Sequence, residues 1–385
     1  MMRIMSAIKR ICEAWLAEVK CIFKDEGALL FCILLPLGYP ILYSWIYNNE
    51  VVREVPAVVV DDSHSALSRE FIQKVDASAD VCVAQYCGSI DEARKVIGHG
   101  DAYGIIYFPE DFAIRTNRME QAHVSVYCDM SYMLFYKAIY QTCTNVSGIM
   151  GAELQSMLLG NYTDRENEIS AKPLDYDDVP MFNTTGGYGN FVLPGVLVLI
   201  LQQAMLLGIG LVSGSDREKG YQSVKGVVSS LCGKGMAYFM IFAVMAAYVT
   251  LVIPHLFGFV SLVHAWDLTQ LMVPYLLSCV FFGICFSDLV RYRENIMLIV
   301  VFTSVPFLFL SGVSWPQSNM PGFWQGVADI VPSSFGIRGF IRMSSMGARA
   351  GDIAPEIQTL WLQVIVYGVL ACAVMYRRYC VRCSG

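Results

Sequence analysis

The stretch that decides the fold is residues 213–234, SGSDREKGYQSVKGVVSSLCGK. It is short, polar and net basic, and an uncharged apolar run lies on each side of it, residues 191–213 before and 235–254 after. A charged segment between two runs of that kind must lie in water on one side of a bilayer, because a Lys or Arg at mid-membrane costs about 3 kcal/mol of insertion.

Working outward, six stretches are free of charge for the length that crosses a hydrocarbon core of about 30 Å. They are residues 27–46, 191–213, 235–254, 268–287, 296–313 and 357–376. The totals agree. Of 385 residues, 55% are hydrophobic and 16% charged, where a soluble protein carries about a quarter charged. Residues 27–46 are too long, and their flanks are wrong, for a cleaved signal peptide. Pro36 and Pro40 are expected to kink that span rather than end it.

Orientation follows from Lys and Arg in the short loops. With the N-terminus placed inside, the cytosolic pieces hold 14 basic and 8 acidic residues, whereas residues 254–267 outside have no basic residue. The expected class is therefore an α-helical polytopic membrane protein with six transmembrane helices, both termini cytosolic, and an α/β extracytoplasmic domain. The expected divisions are a cytosolic amphipathic interfacial helix over 1–26, the first span over 27–46, the outer domain over 47–190, a five-helix membrane domain over 191–376 and a cytosolic tail over 377–385. Within the membrane domain, residues 214–234 form a cytosolic loop and residues 311–359 an outer re-entrant segment.

The N-terminal helix repeats apolar residues at Ile4, Ile8, Ile11, Trp15, Val19 and Ile22, with Lys9, Glu13, Lys20 and Lys24 off that stripe. It reads as a helix on the inner surface, docked to lipid or to a partner. The outer domain alternates strands near 57–61, 81–84, 102–108 and 124–128 with helices, and Ser89-x-x-Glu92 reads as a capping box. Residues 132–159 have the period of a long amphipathic helix. Cys82, Cys87, Cys128 and Cys143 fall in this domain, where a disulfide is one alternative.

Several chemistries are absent from the sequence. Gly233-Lys234 is the only Gly-Lys pair and lacks the glycine and hydroxyl positions of a P-loop. There is no H-E-x-x-H and no G-x-S-x-G, the five histidines are dispersed, and a net charge of −6 with no basic block excludes a nucleic-acid binder. No catalytic residue, metal or cofactor is expected. Gln202 and Gln203 lie mid-span, where they either bond a neighbouring helix or line a substrate path. Gly210-x-x-x-Gly214 is a candidate close-packing motif.

Two stretches resemble the permease subunits of ABC-2 type exporters. One is Asp216-Arg217-Glu218-Lys219-Gly220, similar to the family's acidic-Arg-Glu-x-Gly-Thr run, with Tyr221 in place of the usual Thr. The other is Ser311-Gly312-Val313-Ser314-Trp315-Pro316 with Met320-Pro321, Trp324 and Pro332, similar to the family's segment before the last span. Pro332 to Arg342 and Met346-Gly347 resemble one branch, in which a large outer domain separates the first two spans and a membrane-fusion protein often assists. The resemblance covers essentially the whole chain. It implies a non-catalytic permease that couples ATP hydrolysis by a separate ATPase subunit to export across an inner membrane. Partners would be ABC ATPase subunits, a second permease copy or paralogue, and a membrane-fusion protein. It also implies an ATPase-coupling role for Asp216, Arg217, Glu218 and Gly220, and an outer re-entrant motif at Gly312, Pro316, Pro321 and Pro332. The alternative class is a membrane-anchored receptor or scaffold without transport.

Overall fold

An apolar run in hydrocarbon must satisfy its own backbone N–H and C=O groups, and a helix does so within one segment. The computed structural model describes residues 2–118, 120–159, 181–183, 186–218, 226–290 and 292–383. Helix α1 (Met2–Lys24) leads into α2 (Glu26–Ile46). An inserted unit, Val51–Val179, follows. It carries β1 (Val55–Asp61), α3 (Ala66–Asp76), β2 (Val81–Tyr86), α4 (Ile90–His99), β3 (Gly104–Phe108), α5 (Phe112–Asn117), β4 (Ser125–Cys128) and α6 (Met133–Leu159). The chain then runs through α7 (Tyr188–Glu218), α8 (Val227–Phe257), α9 (Ala265–Leu289), α10 (Arg293–Leu310), α11 (Gly322–Ile330), α12 (Pro332–Met346) and α13 (Ala354–Cys383). Among the described residues α2, α7, α8, α9, α10 and α13 are long and apolar enough to cross a membrane.

In the inserted unit the sheet order is β2-β1-β3-β4, with β1 parallel to β2 and β3 and β4 antiparallel to β3. Alternation sorts β1 between two cores. Val55, Ala57 and Val59 pack with α3 and α6, and Val58 and Val60 pack with α4. A strand buried on both faces explains why residues 57–60 read as a continuous apolar run. The capping box falls elsewhere than the sequence suggests. Ser65 and Ser68 cap α3 reciprocally, whereas at α4 Ser89 accepts from the Glu92 N–H and the Glu92 carboxylate reaches past it to the Gly88 N–H. Cys82, Cys87, Cys128 and Cys143 are free thiols, and burial pushes the Cys143 thiol up to about 12.

In the helical unit α7 is the packing axis. Of its most apolar 18-residue stretch 83% is buried, against 17% for α10, so α10 lies at the periphery of the unit. Gly210 and Gly214 lie on the α7 face toward α10: a Cβ at 210 would meet Ile296 at 2.4 Å, and one at 214 would meet the Arg293 backbone at 3.0 Å. The candidate close-packing motif therefore seats one neighbouring helix. Neither Pro36 nor Pro40 ends its helix. A π turn precedes Pro36 at Leu30–Leu34 and another precedes Pro254 at Tyr248–Val252, and each helix continues through a widened turn. The Tyr248 hydroxyl donates to the Leu37 carbonyl at 3.2 Å, joining the two.

Helices α11 and α12 form a short hairpin, and α12 packs into the helical unit. Arg349 pairs with Asp267 at the start of α9, Gly336 packs on Tyr275, and the Ser333 N–H bonds Gln202 beside Cys279. From Asp267 to Cys279 is about 18 Å at 1.5 Å per residue, so the start of α12 lies near mid-span. Backbone ends are tolerated there because they are buried in protein.

Candidate functional site

The end of α7 that the sequence singled out is a junction. Three consecutive residues there hold three different neighbours. Ser215 accepts from Arg293 Nη1 at 2.6 Å and donates to Asp25 Oδ2 at 3.1 Å. Asp216 pairs with Lys234 of α8 at 3.0 Å. Arg217 donates from Nη1 to the Val290 carbonyl at 2.5 Å and from Nη2 to the Ser287 carbonyl. Those carbonyls end α9, whose last turn has no intrahelical donors, so a guanidinium there caps the helix and complements its dipole.

The junction extends into α1. Helix α1 buries Ala14, Glu18 and Ile22, spaced four apart. It crosses α8 at Gly233, where a Cβ would lie 2.5 Å from the Ala14 Cβ and 2.9 Å from both the Ile11 carbonyl and the Trp15 nitrogen. Backbone meets backbone, so only glycine fits. That close approach seats Glu18, 4% exposed, beside Lys234 at 3.0 Å, while the Tyr238 hydroxyl bonds its other oxygen at 3.2 Å. Lys234 thus sits between two carboxylates from two helices. Ile8, Leu16 and Phe23 stay exposed on the adjacent face, the apolar stripe of an interfacial helix.

Between α1 and α2, Asp25 caps α2 through the Ala28 N–H at 3.1 Å. It takes a bidentate pair from Arg293, Nη1 to Oδ2 at 2.8 Å and Nη2 to Oδ1 at 2.7 Å. Desolvation pushes the Asp25 carboxyl up. The Ala28 N–H, Arg293 and Ser215 outweigh it and hold the group below its usual value. Ends of α1, α2, α7, α8, α9 and α10 therefore meet in one charged network.

Of the residues expected to couple, Asp216 and Arg217 are engaged within the chain and Glu218 is exposed; Gly220 lies outside the described residues. Gln202 and Gln203 separate. Gln202 Oε1 accepts from the Ser333 N–H at 2.8 Å, fixing the start of α12. Gln203 lies a heptad before Gly210, and both polar atoms of its carboxamide are buried without a partner among the described residues. In the segment after α10, Gly312 (φ +88°) supplies the left-handed turn, Pro316 and Pro321 precede short helices, and Pro332 opens α12, where its missing N–H costs nothing.

The sequence reading missed Glu18, Asp25, Ser215, Arg293 and the packing role of Gly233. No local pattern joins residues as far apart as 25 and 293. The one available signal was the placement of Lys234 and Arg293 next to apolar runs.

Residues 27–373 match the family described as "ABC-2 family transporter protein". The chain belongs to that family. It is 24% identical over 328 residues to the "Probable multidrug ABC transporter permease YbhR" of Escherichia coli, covering 82% of this chain and 84% of the relative; the match is the same in two strains. This ABC-2 protein is thus the membrane subunit of a transporter, crossing the membrane several times, which sets aside a receptor or scaffold without transport.

Proposed function

We propose that this ABC-2 permease drives export by borrowing the ATPase cycle of a separate subunit, and that the charged junction receives the push. The observation that carries the reading is the last turn of α7, where Ser215, Asp216 and Arg217 clamp neighbouring helix ends. A load on residues 214–234 would reach the spans as rigid-body motion rather than dissipate in a loop. The basic residues at this end support a cytosolic position by the positive-inside rule; on that reading the unit Val51–Val179 faces the other side of an inner membrane, available to a membrane-fusion protein. A second copy or a paralogue completes the pathway, and Gln203, with an unanswered carboxamide, lines it. The cargo class suggested by the relative's name is drugs.

The test is reconstitution with the partner ATPase. Arg217→Glu removes the cap on α9 and uncouples ATP turnover from transport. Because that variant also disturbs the fold, Glu218→Arg is its companion: an exposed charge reversed at the docking face lowers coupling with no change in thermal stability. Unchanged transport per ATP in both variants removes the coupling role.

A further inference from the structure

The opposite end of the helical unit holds a cavity of about 470 Å³ between the α11–α12 hairpin and α13. Its walls include Ile330, Phe335, Leu362 and Tyr367, and it contains two charged side chains, Arg338 and Asp329. Arg342, one turn further along α12 than Arg338, pairs with Glu356 at the start of α13. Arg338 therefore lies near the level of Thr359, about 7 Å into α13 at 1.5 Å per residue, and the Asp329 carbonyl is fixed to Gln363 one turn deeper. Leu362 is 60% exposed and Val366 46%, so the cavity opens through an exposed apolar surface of α13.

The charged groups make no direct ion pair with each other, although Glu356 and Asp329 both lie near enough to act on Arg338. Arg338 uses Nε to donate to the Ser334 carbonyl at 3.1 Å, and its guanidinium lies 4.6 Å over the Phe335 ring. Its Nη2 is buried with no partner among the described residues. The Asp329 carboxylate is exposed and accepts no hydrogen bond from a described residue. No ion pair joins the two. A guanidinium held by packing with a donor to spare suits a phosphate oxygen, and ionisable groups inside a membrane are functional candidates by default.

We propose that this groove takes the headgroup of a zwitterionic amphiphile of the phosphoethanolamine type. The phosphodiester accepts from Arg338 Nη2, the ammonium donates to Asp329, and the acyl chains leave over Leu362 and Val366. Charge complementarity selects this occupant. An acidic lipid satisfies Arg338 but places its headgroup against Asp329 with no cation to offer, and a simple cation leaves Arg338 unanswered.

The test uses the full chain in nanodiscs of equal phosphatidylethanolamine and phosphatidylglycerol, reading retained lipid by native mass spectrometry. The expected result is about tenfold enrichment of phosphatidylethanolamine, the share of one charge-assisted hydrogen bond. Asp329→Asn brings the ratio near one, and Arg338→Gln lowers retention of both lipids. Leu362→Trp, at an exposed position, fills the groove without touching either charge and also lowers retention, so a folding defect in Arg338→Gln does not decide the matter. Competition by soluble glycerophosphoethanolamine separates a solute from a membrane lipid as the source. Equal retention of the two lipids by the unaltered chain, preference for phosphatidylglycerol, or retention unchanged in the variants overturns the proposal.

Discussion

The two ends of the helical unit treat their charged groups differently. At the junction, Glu18, Asp25, Ser215, Asp216, Arg217, Lys234 and Arg293 all have partners drawn from other helices. Around the α11–α12 hairpin, Arg338 Nη2, Glu356 Oε2 and the hydroxyls of Ser333 and Ser334 are buried without partners among the described residues. A satisfied network in low dielectric is stiff, and an unsatisfied one waits for something to satisfy it. The difference supports the proposed force transmission at one end and the proposed recognition at the other.

Breaking the stiff end should cost most. Lys234→Met leaves the buried Glu18 carboxylate without its cation, which costs about 3–5 kcal/mol; thermal unfolding of the purified chain reads it. Gly233→Ala drives a methyl into the backbone of α1, an overpacking cost of about 1–3 kcal/mol. It should also release α1 from α8, seen as faster proteolysis within residues 2–24. A milder loss sharpens the contrast at the other end. Gln202→Leu orphans the Ser333 N–H at a cost of about 1 kcal/mol, typical of interhelical bonds in membranes. Gln203→Leu removes an already unpaired amide, so stability holds or rises while transport falls. A stability loss for Gln203→Leu equal to that of Gln202→Leu would erase the distinction.

The smallest effect is one of pH. Asp25 is depressed in the folded state, so its contribution is present above its unfolded value of about 4 and is lost as pH falls through the lower folded value. The acid limb of the unfolding profile should flatten in Asp25→Asn, and an unchanged limb would mean the Arg293 pair contributes nothing.

The six spans were readable because charge-free runs of that length have one physical use, and the strands of the inserted unit because β1 is apolar on both faces. The junction was half readable. Asp216 and Arg217 stand out as charges at a span edge, but their partners come from tertiary packing: Asp25 and Arg293 share no pattern, and Gly233 reads as an ordinary loop glycine. The depth of α12 was hidden for the same reason, since Gln202 must be seen against Ser333 before a mid-span polar residue becomes a helix anchor. Apolar pattern reports burial, not which polar groups find each other.

The most direct measurement is transport per ATP hydrolysed, with the chain reconstituted beside its ATPase, for Asp25→Asn, Arg293→Gln and the two combined. A junction that carries force predicts that either change lowers transport while ATP turnover persists, and that the pair is no worse than either alone. Transport per ATP equal to the unaltered protein in both single variants would contradict it.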